Sequence, residues 1–358
     1  MTPPILRFAL PLILLLFSPF SFADPLPEVI RLGIANAGTG SPPRAAIGPL
    51  GIAQQHRLIE QELANDNIKV QWIFFKGAGP AVNEALSSRQ IDFAAQGDLP
   101  SIIGQAAGLN TRLLMSLGKS HSYIAVKKDS AIQTISDLRG KTIAFHKGTN
   151  IHLGVSRILN KGGLTERDLK VFNLDSAASL SAFLSGDLDA LFGGLNLFRL
   201  EDLGSARLIY DTHQDPAFVR QTHILVDDTF AQRYPDITQR VVQALVRAAH
   251  YNALEEHEEE VLQSWATGSI TVDHFRRELA GASIREKISP LFDTYTTGLY
   301  RQSIADAREF RLIRRNIDLD RWIDDSFLQQ SLVNLQLEDY WPPLDQNSHP
   351  ETGAVTGL

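Results

Sequence analysis

The chain has 358 residues, of which 44% are hydrophobic and 21% charged, and its formal charge is -7. That length accommodates two domains with cores of their own, and an acidic balance with no basic stripe excludes nucleic acid as a partner. Cysteine is absent, so disulfides, thiol chemistry and a lipidated N-terminal cysteine are closed and core burial must hold the fold.

Residues 1–23 carry one charge, Arg7, followed by the apolar run Phe8–Phe17, and Ser21-Phe22-Ala23 stands before Asp24 as a small-x-small cleavage site. The apolar stretch is short for a membrane span. It reads as a secretory signal peptide cut after Ala23, which places the mature protein free in a Gram-negative periplasm. Loss of Arg7 then takes the formal charge from -7 to -8.

Val29–Ala35 alternates as a first strand and runs into the Gly- and Pro-rich loop Asn36–Pro43. An amphipathic helix over Leu50–Leu63 follows, then a strand carrying Val70, Trp72 and Phe74. Gly77–Pro80 turns into a helix, with Pro80 in the first turn where a missing N–H costs nothing. Ile91–Ala95 is a strand, a helix begins near Ser101, and Arg112–Leu117 is the next strand. This β-α-β-α-β order is that of an open, doubly wound sheet.

The pattern then repeats. Thr142–Phe145 is a strand, and Ile151, Val155, Ile158 and Leu159 form one apolar helix face, with Thr149 or Asn150 as N-cap and Gly162-Gly163 as the stop. Lys170–Leu174, Ser176–Ser185 and Leu188–Phe192 add strand, helix and strand, and Gly97 aligns with Gly194 without a gap. Two similar lobes are expected, with loops at the carboxyl ends of their strands. Tyr123–Lys127 and Thr222–Val226 read as strands crossing between them, the two connections a hinge needs. Beyond Asp228 the chain reads as helical: Asp236 caps a helix lined by Ile237, Val241, Val242, Leu245 and Ala249, another spans Thr297–Ile313, and a last one ends before Trp341. Residues 345–358 are polar and aperiodic, and are expected to be disordered.

Enzyme-like fragments fail on inspection. Gly118-Lys119-Ser120 lacks the first P-loop glycine, Leu113 standing in its place, and Gly38-Thr39-Gly40 lacks the third glycine of a dinucleotide fingerprint. His250 and His257 among glutamates read as a solvated face rather than a metal site, and Asp92 and Asp189 as caps or ion-pair members. What remains is a set of glycine loops at strand ends: Gly38–Ser41, Gly77–Pro80, Gly97–Ser101, Gly118–His121, Lys147–Asn150 and Gly193–Asn196. A glycine loop opening a helix exposes N–H donors at the positive helix end and can cradle an anion. Lys147 adds charge, and Thr149 and Asn150 add side-chain donors. An ordinary βα turn has the same features.

KVQWIFFKGAGPAVNEAL (Lys69–Leu86), IDFAAQGDLPSIIGQAAG (Ile91–Gly108) and ISDLRGKTIAFHKGTNIHLGV (Ile135–Val155) resemble the periplasmic substrate-binding proteins of ABC importers, in the branch for aliphatic sulfonates, taurine and nitrate. The resemblance spans Val29–Tyr210 and continues more thinly through Ala266–Gly268 and Arg308–Trp322. It implies an α/β fold of the type II binding-protein kind: two doubly wound sheets joined by a two-strand hinge. Lobe 1 would comprise residues 24–121 and 223–344, and lobe 2 residues 122–222.

By motif, Gly79, Pro80, Gly97, Asp98, Pro100, Gly148, Thr149 and Asn150 would hold an oxyanion. Thr39, Gly40, His121 and Asn196 join them from the remaining loops. The expectation is a monomer that binds a small organosulfur anion (an alkanesulfonate, taurine or a sulfate ester) in the inter-lobe cleft and delivers it to an inner-membrane ABC permease, with no catalysis, cofactor or metal. Nitrate, a pyrimidine-type ligand or a desulfinase-like enzyme on the same scaffold are the alternatives, as is a sensory rather than a transport role. One departure stands out: Gly194-Leu195-Asn196-Leu197-Phe198 replaces the family's Trp-Asp-Pro-aromatic run. The ligand's tail would therefore meet a roomier pocket that lacks that aromatic wall.

Overall fold

A computed structural model describes residues 25–351; the expected signal peptide and the last residues of the tail lie outside them. Ten strands build two five-stranded sheets. The first contains β1 (Val29–Ile34), β2 (Lys69–Phe74), β3 (Phe93–Gly97), β4 (Thr111–Ser120) and β10 (Arg220–Asp227) in the order β2-β1-β3-β10-β4. The second contains β5 (Tyr123–Lys127), β6 (Thr142–Phe145), β7 (Lys170–Asn173), β8 (Ala190–Gly193) and β9 (Ala206–Asp211) in the order β7-β6-β8-β5-β9.

The two sheets share one plan, because each half carries the same strand-helix repeat. Three parallel strands come from that repeat, and the fourth position is filled by an antiparallel strand, β10 in the first sheet and β5 in the second. Each antiparallel strand is the first that the chain lays down after arriving from the other lobe. Segments 123–127 and 222–226, expected to cross between lobes, thus each belong to a single sheet. The crossings lie just before them, at residues 121–122 and residues 212–219.

Local chemistry explains where element ends move. The helix expected over Leu50–Leu63 is two helices, Gly48–Gln55 and Leu58–Glu62, broken where Arg57 adopts a left-handed conformation. The helix after β3 begins at Asp98, directly behind an extended Gly97, which puts a carboxylate in its first turn. Pro235 opens the long helix to Ala253 and Tyr234 is its N-cap; Asp236 lies inside the first turn and pairs with Arg240 instead of capping. Thr294–Glu309 starts earlier than the sequence suggests because Asp293 accepts from the Thr296 N–H at 2.7 Å. Residues 345–351, expected to lack order, fold back as a turn in which Asp345 accepts from the Asn347 and His349 N–H groups at 2.8 and 2.9 Å.

Asp92 is an ion-pair member as expected, accepting from the Arg31 backbone N–H and guanidinium, and Asp189 accepts from the Thr142 N–H. The C-terminal helices cover the first sheet, where the Pro235–Ala253 helix buries Ile237, Val241, Val242, Leu245 and Ala249 in the largest core cluster. The Thr294–Glu309 helix does more. It touches both the Asp98–Ala107 helix of the first lobe and the Asn150–Lys161 helix of the second, and there Arg157 Nε meets Asp306 at 2.5 Å with both side chains nearly sealed from solvent. Arg157 Nη2 also donates to Ser303 Oγ at 3.0 Å, and Ser303 Oγ donates to Asp98 Oδ2 at 3.1 Å. One buried polar chain therefore ties the two lobes together.

Candidate functional site

Between the lobes lies a cleft of about 520 Å³, of the size that small ligands occupy. Its walls are the carboxyl ends of strands from both sheets and the first turns of the helices that follow them. Contact across the cleft is close: a Cβ on Gly97 would lie 2.7 Å from Asn150 Cβ, and one on Gly148 would lie 3.1 Å from Pro80. The motif loops from opposite lobes meet, and the lobes are closed on one another.

Of the residues singled out in the sequence, Gly79, Gly97, Pro100, Thr149, Asn150 and Asn196 line the cleft. Pro80 and Gly148 form the contact just behind it. Asp98 is buried beneath, accepting from the Leu99 N–H and from Ser303, and burial pushes its carboxyl up from the ordinary value against the pull of Arg157. Thr39 and Gly40 are elsewhere. Gly38 and Gly40 both take positive φ, so the loop doubles back to pair Thr39 with Arg44, and Gly40 faces a separate groove with Pro42 and Pro43. Asn36 reaches the cleft instead. The His121 ring turns to the hinge and stacks on His213 at 3.5 Å.

Several expected donors are already committed. The Gly148 N–H donates to His152 Nδ1 at 3.1 Å, Thr149 Oγ1 donates to the His146 carbonyl at 2.7 Å, and Lys147 Nζ pairs with Glu166 at 2.8 Å. Glu166 also meets His152 Nε2 at 2.5 Å. These contacts brace the loop rather than face a ligand. The His152 hydrogen bond, then Lys147, hold the Glu166 carboxyl down at about 2. A depressed carboxylate stabilises the fold above its unfolded value of about 4.3 and loses that contribution as pH falls toward 2. Glu166→Gln should therefore flatten the fall of melting temperature between about pH 5 and pH 2, which a thermal melt against pH would show.

Still available to a ligand in the first turn of the Asn150–Lys161 helix are the Asn150 and Ile151 N–H groups, the His152 N–H being spent on the Thr149 carbonyl at 3.0 Å, and the Asn150 side-chain amide, which makes no hydrogen bond among the described residues. Asn196 Oδ1 accepts from the Gly194 N–H at 3.2 Å, leaving its amide nitrogen for the cleft.

The residue that sequence reasoning missed is Arg220. It opens β10, directly after the second crossing, and lines the cleft. Its Nε donates to Ser122 Oγ at 2.9 Å and its Nη2 to the His121 carbonyl at 2.6 Å. No carboxylate lies within ion-pair distance of it among the described residues. Desolvation lowers its pKa from the ordinary value, offset in part by the more distant Glu278 and Asp98. The sequence gives one cue, a lone cation at the head of the apolar run Ile224–Val226. The charge expected of Lys147 is thus supplied from another element, since Lys147 is paired with Glu166 and the Arg220 guanidinium sits in the wall.

Glu278 is the one carboxylate among the lining residues, and it is already satisfied by Tyr123 Oη at 2.6 Å, the His121 N–H at 2.9 Å and Lys287 Nζ at 3.2 Å. Burial pushes its carboxyl up, but Lys287 and these donors hold it below the ordinary value. Ile34, Leu174, Leu195, Phe145 and Phe192 add apolar surface, interspersed with polar side chains that include Gln96, His146, Ser176 and Ser179. Two aromatic rings at strand ends thus stand in the cleft although the family's aromatic run is missing.

Among the described residues one grouping, His121, Asp211 and His213, has the composition of a metal site. Its atoms are otherwise engaged: His213 meets Asp211 at 2.6 Å and the Glu278 carbonyl at 3.1 Å, and His121 Nδ1 meets Thr212 Oγ1 at 3.2 Å. The stacked rings lie 17° apart, so their nitrogen lone pairs lie in nearly parallel planes. His250 and His257 pack against Tyr340 and Tyr251, respectively.

Residues 64–259 match the family model described as NMT1/THI5 like, more than half of the chain. The chain belongs to this family. A protein of Escherichia coli (strain K12) named as an aliphatic sulfonates-binding protein is 32% identical over 173 residues, 47% of this chain and 50% of that relative, so the match spans half of the relative's length. The periplasmic sulfonate-binding protein SsuA of Methylobacillus flagellatus has a TM-score of 0.77 and 30% identity, covering 90% of this chain and 99% of that one. The alkanesulfonate-binding SsuA of Xanthomonas axonopodis, solved bound to MOPS, has a TM-score of 0.66 at 27% identity over 83% and 98% of the two chains. The desulfurization enzyme DSZB, at 17% identity, shares the fold (TM-score 0.64, over 86% and 99%). The neighbours have the two-lobed binding-protein architecture that the strand order describes. No helix among the described residues is long and apolar enough to cross a membrane.

Proposed function

We propose that this protein is the periplasmic solute-binding component of an ABC importer, which closes on an alkanesulfonate and presents it to the permease. The observation that carries this reading is the Arg220 guanidinium, set in the wall of a closed inter-lobe cleft without a carboxylate partner among the described residues. A charged donor of fixed geometry suits a three-oxygen anionic head, and hydrogen bonds to an ionised acceptor are the strong ones. The first-turn N–H groups of the Asn150–Lys161 helix and the Asn150 amide approach from the other lobe. A head group bridging both lobes binds the closed form more tightly and so shifts the hinge equilibrium.

The apolar walls suit a hydrocarbon tail. A tail ammonium, as in taurine, would be buried where the one lining carboxylate is already engaged, and that is costly. An enzymatic reading finds less support, because a thiol nucleophile is excluded by composition and the relatives of higher identity are named as binding proteins.

Titration calorimetry with ethanesulfonate, taurine, nitrate and uracil tests the proposal. Ethanesulfonate should bind one to one and at least about tenfold more tightly than taurine; no heat with any sulfonate would overturn the reading. Gly97→Ala should weaken ethanesulfonate by about tenfold or more with little change in ligand-free melting, because the added methyl meets Asn150 only when the lobes close.

A further inference from the structure

The hinge contains a second cavity of about 240 Å³, which shares Glu278 with the wall of the cleft. Lys119 and Ser120 are neighbours on β4 and point to opposite faces; Ser120 lines the cleft and Lys119 lines the second cavity. Lys119, His121, Val219, Lys287 and Tyr295 form its walls, so both crossings between the lobes border it. Lys119 is 9% exposed, and its Nζ has no hydrogen-bond partner among the described residues. The Nζ lies over the Tyr295 ring, 5.4 Å from its centre. The second ammonium, Lys287, reaches the Glu278 carboxylate at 3.2 Å. Glu286 also borders the space, with its Oε2 accepting from the Ser283 N–H.

A buried ammonium without a partner is expensive. The cavity is many times the ~30 Å³ share of one water, and its two ammonium groups offer more donors than their neighbours take up. Side-chain atoms of Gln221, opposite Lys119 in the strand register, and of His223 are likewise buried without partners. We infer that this hinge cavity is a binding site for a small inorganic oxyanion, held between Lys119 and Lys287. Burial, with a smaller push from the Lys287 charge, lowers the Lys119 pKa against the pull of Asp293, so an occupying anion would also favour the charged amine.

The test compares sulfate with chloride at matched ionic strength, on the full mature chain and on Lys119→Met, Lys287→Met and Arg220→Met. In thermal melts without sulfate, Lys119→Met should equal or exceed wild type, since an apolar side chain replaces an unpaired charge. Millimolar sulfate should raise the melting temperature of wild type and of Arg220→Met by several degrees, of Lys287→Met by less, and of Lys119→Met not at all. Calorimetry should give one sulfate site that Lys119→Met loses and Arg220→Met keeps. A sulfate effect equal in all four proteins, which would be general salt stabilisation, overturns the proposal. So does an effect that only Arg220→Met removes, which would place the anion in the cleft, or the absence of any effect.

Discussion

Replacing Arg220 with methionine should weaken ethanesulfonate binding by about 2–5 kcal/mol, roughly 30- to 4,000-fold in Kd. The size of this effect follows from the charge. Methionine preserves the apolar length of the side chain but leaves the sulfonate oxygens facing a wall with no cation. Arg220 also holds Ser122 and the His121 carbonyl at the first crossing, so circular dichroism and a ligand-free melt must accompany the titration. Arg220→Lys separates the two roles, since it restores the charge without the planar fork. Its affinity should fall between wild type and methionine. Equal affinities for wild type and Arg220→Met would remove this residue from the site.

Arg157→Met should raise the sulfonate Kd by about 10- to 100-fold although it touches nothing in the cleft wall. Removing one partner of a buried ion pair costs about 3–5 kcal/mol when the other is left uncompensated, and Asp306 would keep only the Gln302 amide at 2.7 Å. The pair spans the lobes, with Arg157 on a second-lobe helix and Asp306 on a helix that covers the first. An open form would return Asp306 to water and escape much of the cost, so the penalty falls on the closed form and appears as lost affinity. The melting temperature of the ligand-bound protein should therefore drop more than that of the free protein. The double variant Arg157→Met with Asp306→Asn should recover part of the loss, a non-additivity expected of groups in contact. An identical fall in melting with and without ligand, at unchanged affinity, would make the pair a fixed structural element and contradict a role in closure.

Much of this architecture is legible in the chain because short-range rules govern it. The two β-α-β repeats, the start of the helix at Asn150 and its end at Gly162 follow from apolar spacing, capping residues and glycine. The loops at 77–80, 97–101 and 147–150 do come to one place, because strand ends in doubly wound sheets share an edge. What local pattern does not carry is which donor is spent. Thr149, Gly148 and Lys147 read as anion ligands, yet His146, His152 and Glu166 occupy all three, and none of those partners lies within the loop itself. Arg220 escaped notice for the opposite reason. A single arginine in an apolar strand is unremarkable until the fold places that strand's first residue between two lobes with no acid beside it. Thr39 and Gly40 were misplaced by their glycines, which here close a tight loop rather than open a helix.

The most direct test of the account is a crystal structure of the mature protein grown with ethanesulfonate. The account predicts one ligand in the inter-lobe cleft, its sulfonate oxygens within hydrogen-bond distance of the Arg220 guanidinium and of the first turn of the Asn150–Lys161 helix, and its ethyl group against Phe145 and Phe192. A ligand bound elsewhere, or one seated in the cleft with its sulfonate turned away from Arg220, would contradict it.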